Sequence, residues 1–148
     1  SNNKIFKDNN GSAWFLTKHK IFKLDVDNNG NIINISSNNN EKQQLSFYAI
    51  NEINNEIWVG NGETINQVIT SHNGELLLRP IPGIPAILRQ NLYISTIVKK
   101  DNLIWIGTDY GIFRFNQSDM SIRNYTHDPN DITSISQDMV TDMNFTSD

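Results

Sequence analysis

The chain has 148 residues, a length that permits one compact domain with a sizeable core. Net charge is -4, the 12 Lys and Arg residues are scattered, and there is no cysteine. Those facts argue against a phosphate-binding stripe, a polybasic membrane patch, a disulfide framework and a thiolate metal site. Apolar runs stay far below the roughly 20 residues that cross a bilayer. Neither nucleic acid nor direct membrane contact is therefore expected. Asparagine, present 23 times and mostly in short clusters, tolerates left-handed backbone and bonds locally, so it marks tight turns. Short apolar runs between asparagine turns read as all-β, and helix is expected nowhere.

In chain order, the three tryptophans set the register. Trp14 follows Asp8-Asn9-Asn10-Gly11, Trp58 follows Asn54-Asn55-Glu56, and Trp105 follows Asp101-Asn102, at spacings of 44 and 47 residues. A strand precedes each (residues 4–7, 47–53 and 92–99). A second apolar run follows after a polar turn (21–24, 65–69 and 112–115), and a fourth strand closes each unit (31–35, 75–79 and 121–125). The run Leu103 to Ile106, ended by Gly107, has no alternation, as befits a strand covered on both faces. Four antiparallel strands repeating at this period predict β-propeller blades. The fold expectation is thus an all-β propeller fragment of about three blades, 1–46, 47–91 and 92–136, with 137–148 as the first strand of a further blade. Trp14, Trp58 and Trp105 are expected to wedge between blades, with Gly60 and Gly107 two residues further on.

The third unit resembles the two-component regulator propeller repeat. Trp105-Ile106-Gly107-Thr108, Gly111-Ile112-Phe113-Arg114-Phe115, Tyr125, Asp128-Pro129-Asn130-Asp131, Ser134-Ile135-Ser136 and Val140-Thr141-Asp142-Met143 all follow that pattern. The first two units are looser: Trp14-Phe15-Leu16-Thr17 lacks the glycine and Trp58-Val59-Gly60-Asn61 lacks the threonine. The resemblance implies a ligand-sensing segment of a hybrid two-component system, non-catalytic in itself. It also implies a periplasmic location on the outer side of a gram-negative inner membrane, and an oligosaccharide derived from glycan breakdown as ligand. A ring of about seven blades is implied as well. Three blades cannot close one, so the expected partners are the remaining blades of a parent chain or other copies that close a ring by homo-oligomerisation. Two alternatives stay open: a propeller scaffold for protein–protein interaction, and part of a propeller glycoside hydrolase or lyase.

Candidate chemistry is thin. Asp25-Val26-Asp27-Asn28-Asn29-Gly30 copies the start of a calcium loop, with Asp25, Asp27 and Asn29 on alternate residues. Its twelfth place is Ser36 instead of glutamate and no helix flanks it, so an ordinary hairpin turn is expected and no metal. His19, His72 and His127 fall in separate turns without a partner at a fixed offset, which points to no catalytic set; no cofactor is expected either. Binding in a propeller is best sought in loops at the end where the central channel opens. Those are the turns between second and third strands, which nominate Tyr110, Asn61, Glu63 and His19 as ligand-binding positions.

Overall fold

An apolar run of four to six residues can satisfy its backbone only by pairing with neighbours, and here every such run finds a ladder. The computed structural model describes residues 3–39, 46–61, 64–84 and 92–146, and places twelve strands in three four-stranded sheets. The first contains β1 (Lys4–Lys7), β2 (Ala13–Leu16), β3 (Ile21–Val26) and β4 (Ile32–Ser37). The second contains β5 (Phe47–Ile53), β6 (Glu56–Asn61), β7 (Ile65–Thr70) and β8 (Leu76–Pro80). The third contains β9 (Ile94–Lys100), β10 (Leu103–Thr108), β11 (Gly111–Asn116) and β12 (Ile122–Tyr125). Each sheet runs in sequence order with antiparallel neighbours, the meander of a propeller blade. No helix occurs among the described residues.

Several strand ends shift by one or two residues from the sequence expectation. β4 starts at Ile32, because Asn31 still belongs to the turn, where its N–H and its side-chain amide both donate to Asp27. Residues 137–146, expected as the first strand of a further blade, enter no ladder. They are nonetheless docked. Val140 N–H donates to the Thr108 carbonyl at 2.9 Å and Gly111 N–H to the Asp138 carbonyl at 2.7 Å.

Side chains along the tryptophan strand divide the blade into two faces. In β6, Trp58 and Gly60 point towards blade three while Ile57 and Val59 point towards blade one. Two cores result. Trp14, Leu16 and Ile21 meet Ile57, Val59 and Val68 between blades one and two. Trp58, Ile65 and Ala49 meet Ile94, Ile97, Ile104 and Ile106 between blades two and three. The largest fully enclosed side chains among the described residues include Phe47, Leu16, Ile65, Ile94 and Phe115. Each contributes about 1.5–3 kcal/mol relative to exposure.

Gly60 shows why the glycine follows the tryptophan. A Cβ there would lie 2.8 Å from Ile94 Cγ2, the first residue of the next blade's inner strand. Gly107 stands in the same relation to the C-terminal segment, with 2.8 Å to Val140 Cγ1. Val140 thus sits on blade three where Ile94 sits on blade two, which is the position of a first strand in a following blade.

Candidate functional site

The ladder register slips at the same place in two blades. Between β5 and β6, Phe47 faces Asn61 and Ala49 faces Gly60, leaving Tyr48 as the extra residue. Between β9 and β10, Ile94 faces Thr108 and Thr96 faces Gly107, leaving Ser95. Such bulges bend a strand and re-aim one side chain. Tyr48 and Ser95 each stand ten residues before their tryptophan, and in blade one that position is Lys4. One repeat position therefore supplies a lysine, a tyrosine and a serine at the starts of the three inner strands.

Two of these positions, Lys4 and Ser95, meet directly, and Tyr48 joins them through Tyr93. Lys4 Nζ spans from blade one to blade three and donates to the Ser95 carbonyl at 2.6 Å. Ser95 Oγ lies 3.0 Å from the Gly107 carbonyl and also within hydrogen-bond reach of the Val140 carbonyl, so its hydroxyl is held by backbone oxygens. Tyr48 packs on Tyr93, with ring centroids 4.4 Å apart and planes tilted by 44°. The Tyr93 N–H donates to Asp109 Oδ1 at 3.0 Å, tying this cluster to the β10–β11 turn. A cavity of about 110 Å³ opens beside it, lined by Lys4, Tyr93, Ser95, Met139, Val140 and Thr141. Burial lowers the Lys4 pKa below its ordinary value, and the nearby Asp142 carboxylate opposes that shift. The arrangement offers aromatic faces, phenolic hydroxyls and one half-buried ammonium, groups that suit a polyhydroxylated ring.

Of the nominated turn residues, Tyr110, Asn61 and His19 lie at this same end, on three separate blades. Tyr110 is 62% exposed in the β10–β11 turn, with its N–H donating to Thr108 Oγ1 at 3.0 Å. His19 is exposed in the β2–β3 turn. Asn61 is buried, and its Oδ1 accepts from the Thr64 N–H at 2.8 Å, so its side chain closes the β6–β7 turn. Glu63 lies outside the described residues. Counting back from each tryptophan to the tenth residue is the signal that would have found Lys4, Tyr48 and Ser95.

The calcium-like stretch builds the β3–β4 hairpin. Asp27 Oδ1 accepts from the N–H groups of Asn29 and Asn31, and Gly30 adopts a φ of 83°. Those hydrogen bonds, chiefly from Asn31, hold the Asp27 carboxyl below its ordinary pKa. Asp25 turns elsewhere, to Lys23 at 3.0 Å and Ser12 at 2.8 Å. Trp14 and Trp58 are each 4% exposed, and their indole N–H groups donate to Asp8 and Glu56. Trp105 is only partly buried, and among the described residues no further blade packs on that face.

Comparison with known proteins gives structural likeness alone. No protein-family model matches the sequence, and no curated protein matches it. Two structures of the extracellular domain of BT4673 from B. thetaiotaomicron, described as a one-component and as a hybrid two-component system, superpose with TM-scores of 0.64 and 0.62. Identity is 16% and 14%, over 94% and 93% of this chain and 18% of each of those chains. Virginiamycin B lyase from Staphylococcus aureus superposes with a TM-score of 0.54 at 20% identity, over 88% of this chain and 42% of the lyase. This chain thus spans about a fifth of the BT4673 domains, with which it shares the fold of repeated four-stranded propeller blades.

Proposed function

We propose that this chain is a non-catalytic, ligand-sensing propeller segment of an extracytoplasmic two-component receptor in the periplasm. Its ligand is a glycan-derived oligosaccharide, bound where Lys4, Tyr48, Ser95 and Tyr93 converge. One observation carries the reading: a single repeat position, ten residues before each tryptophan, puts three polar side chains of three blades at one end of the inner strands, beside a tyrosine pair. The fold shared with an extracellular domain of a two-component system supports the receptor context. A binding role in preference to a catalytic one is supported by Ser95, whose hydroxyl is directed at carbonyls and not at a base. Exposed Ile5, Ile33 and Ile35 on blade one and partly buried Trp105 on blade three support further blades as partners, supplied by a parent chain or by other copies. Ligand binding then biases the arrangement of the assembled receptor by favouring one of two states.

The test is a thermal-shift screen of neutral oligosaccharides against the chain and its Tyr48→Ala and Lys4→Met variants. A ligand that stabilises the parent chain and loses most of its effect in both variants supports the site, since only binding to the folded state raises the melting temperature. Equal stabilisation of all three proteins removes the site, and turnover of any glycan overturns the non-catalytic reading.

A further inference from the structure

A second concavity lies between blades two and three, towards the end carrying the β5–β6 turn and so away from the cluster around Tyr48. It is larger, about 440 Å³, within the usual range for small-molecule sites. Its wall on blade two is the row Trp58, Gln67 and Arg79, paired side by side across β6, β7 and β8. Lys99 and Gln117 face them from blade three.

The equivalent junction between blades one and two is closed by polar pairing. Six residues before its tryptophan, each blade has Asp8, Glu52 or Lys99. Glu52 Oε2 accepts from the Asn9 N–H at 2.9 Å, and Asn9 also reaches Asn55, so the turn of blade one is stitched to blade two. Nine residues after the tryptophan stand Lys23, Gln67 and Arg114; Lys23 is paired with Asp25. At the second junction both positions change character. Lys99 replaces the acid and Gln67 replaces the paired lysine; among the described residues the two blades are joined instead by Asn51 Nδ2, which donates to the Ile97 carbonyl at 2.9 Å.

Among the described residues, neither Arg79 nor Lys99 has a carboxylate within ion-pair distance, and the side-chain amides of Gln67 and Gln117 make no hydrogen bond. Glu56, the acid in the groove, accepts from Trp58 Nε1 at 3.0 Å. Pro80, Ile81 and Pro82 supply a firm apolar side, where the Ile81 N–H is fixed to the Ile65 carbonyl. Against the one lining carboxylate, two cations leave the groove net positive and suit an anion, and amides, each both donor and acceptor, suit hydroxyls. The apolar wall suits the C–H face of a ring.

We infer that this inter-blade groove is a second binding site, and that its ligand class is an acidic sugar, a small polyhydroxylated carboxylate held between Arg79 and Lys99. The site is independent of the oligosaccharide site at the other end of the blades.

The probe is sodium glucuronate, with glucose as its neutral counterpart, titrated into the isotopically labelled 148-residue chain while the three indole N–H resonances are followed. Expected is a saturable shift of the Trp58 indole with glucuronate, with those of Trp14 and Trp105 stationary. Glucose should bind at least about tenfold more weakly, the consequence of losing one charge-assisted contact. Arg79→Ala and Lys99→Ala should each weaken glucuronate by a similar factor while keeping the dispersed spectrum of the folded chain. Equal affinities for glucose and glucuronate, or unchanged affinity in both variants, overturns the inference. So does displacement of glucuronate by a hexaglutamate peptide that binds more tightly, which would make the groove a peptide site.

Discussion

Trp58 and Trp105 occupy the same place in the same strand of two consecutive blades, yet one is enclosed and the other is not. Trp58 is 4% exposed against the first strand of blade three. Trp105 has no such blade in front of it among the described residues and is covered by its own sheet: Tyr125 stacks at 5.8 Å and the Arg114 guanidinium lies 5.7 Å from its ring. The strand therefore presents the indole, and the neighbouring blade buries it. Truncation measures that difference directly. Trp58→Ala should cost about 3–5 kcal/mol, the range for large aromatic side chains removed from a core. Trp105→Ala should cost about 1 kcal/mol, mostly the aromatic pair with Tyr125. Urea denaturation of the two variants checks this, and equal losses would show that the C-terminal segment seals blade three as fully as a blade does.

The glycines sharpen the same contrast at smaller magnitude. A methyl group at residue 60 must displace Ile94 Cγ2 at 2.8 Å and crowd Ile97 at 3.4 Å, both inside a closed core. Gly60→Ala should therefore destabilise by about 1–3 kcal/mol through overpacking. At residue 107 the obstacles are Thr96 Cγ2 at 2.7 Å and Val140 Cγ1 at 2.8 Å, and Val140 belongs to a segment held without a ladder. Gly107→Ala should lift that segment at a lower cost in stability than its counterpart. Limited proteolysis should then cut residues 137–146 several-fold faster in this variant, whereas Gly60→Ala should leave that cleavage unchanged relative to global stability.

Much of this architecture was legible because packing leaves a period in the sequence. Trp14, Trp58 and Trp105 fixed the register, and the asparagine turns fell where expected, with Asn54 and Asn55 at φ of 53° and 63°. Gly111, at φ 96°, is confined by the Tyr125 carbonyl, as a glycine-requiring hairpin demands. The residues of the proposed site were less legible for a physical reason. A bulge adds one residue to a strand without changing its composition, so Tyr48 and Ser95 look like ordinary strand positions until their partners are known. Turn residues mislead in the opposite way. Asn61 reads as an exposed loop amide, but its carbonyl oxygen satisfies the Thr64 N–H and the residue is buried with the turn it closes. The open groove between blades two and three was hidden because a lysine in place of an acid, as at Lys99, has meaning only beside the Asn9–Glu52 stitch of the other junction.

That stitched junction also carries the smallest effect, and its pH dependence has a definite sign. Hydrogen bonding from Lys23, then from Ser12, holds the Asp25 carboxyl below its ordinary value, with Asn34 adding to the shift against a small opposing effect of burial. A carboxyl whose folded-state pKa is depressed binds its proton more readily in the unfolded chain. Its contribution is therefore present above the unfolded value, about pH 4, and is lost as pH falls through the folded one. Asp25 is partly exposed and its ion pair is screened by solvent, so Asp25→Asn should lower stability at pH 7 by only about 0.2–1 kcal/mol. The deficit should stay constant from pH 7 to pH 5 and shrink below pH 4, where the parent chain loses the charge as well. Melting temperatures of both proteins between pH 2.5 and 7 decide it. A deficit that persists undiminished at the acid end would mean that Asp25 acts through its geometry with Ser12 and Asn34 and not through its charge, leaving Lys23 as unpaired in effect as Arg79 and Lys99 are at the other junction.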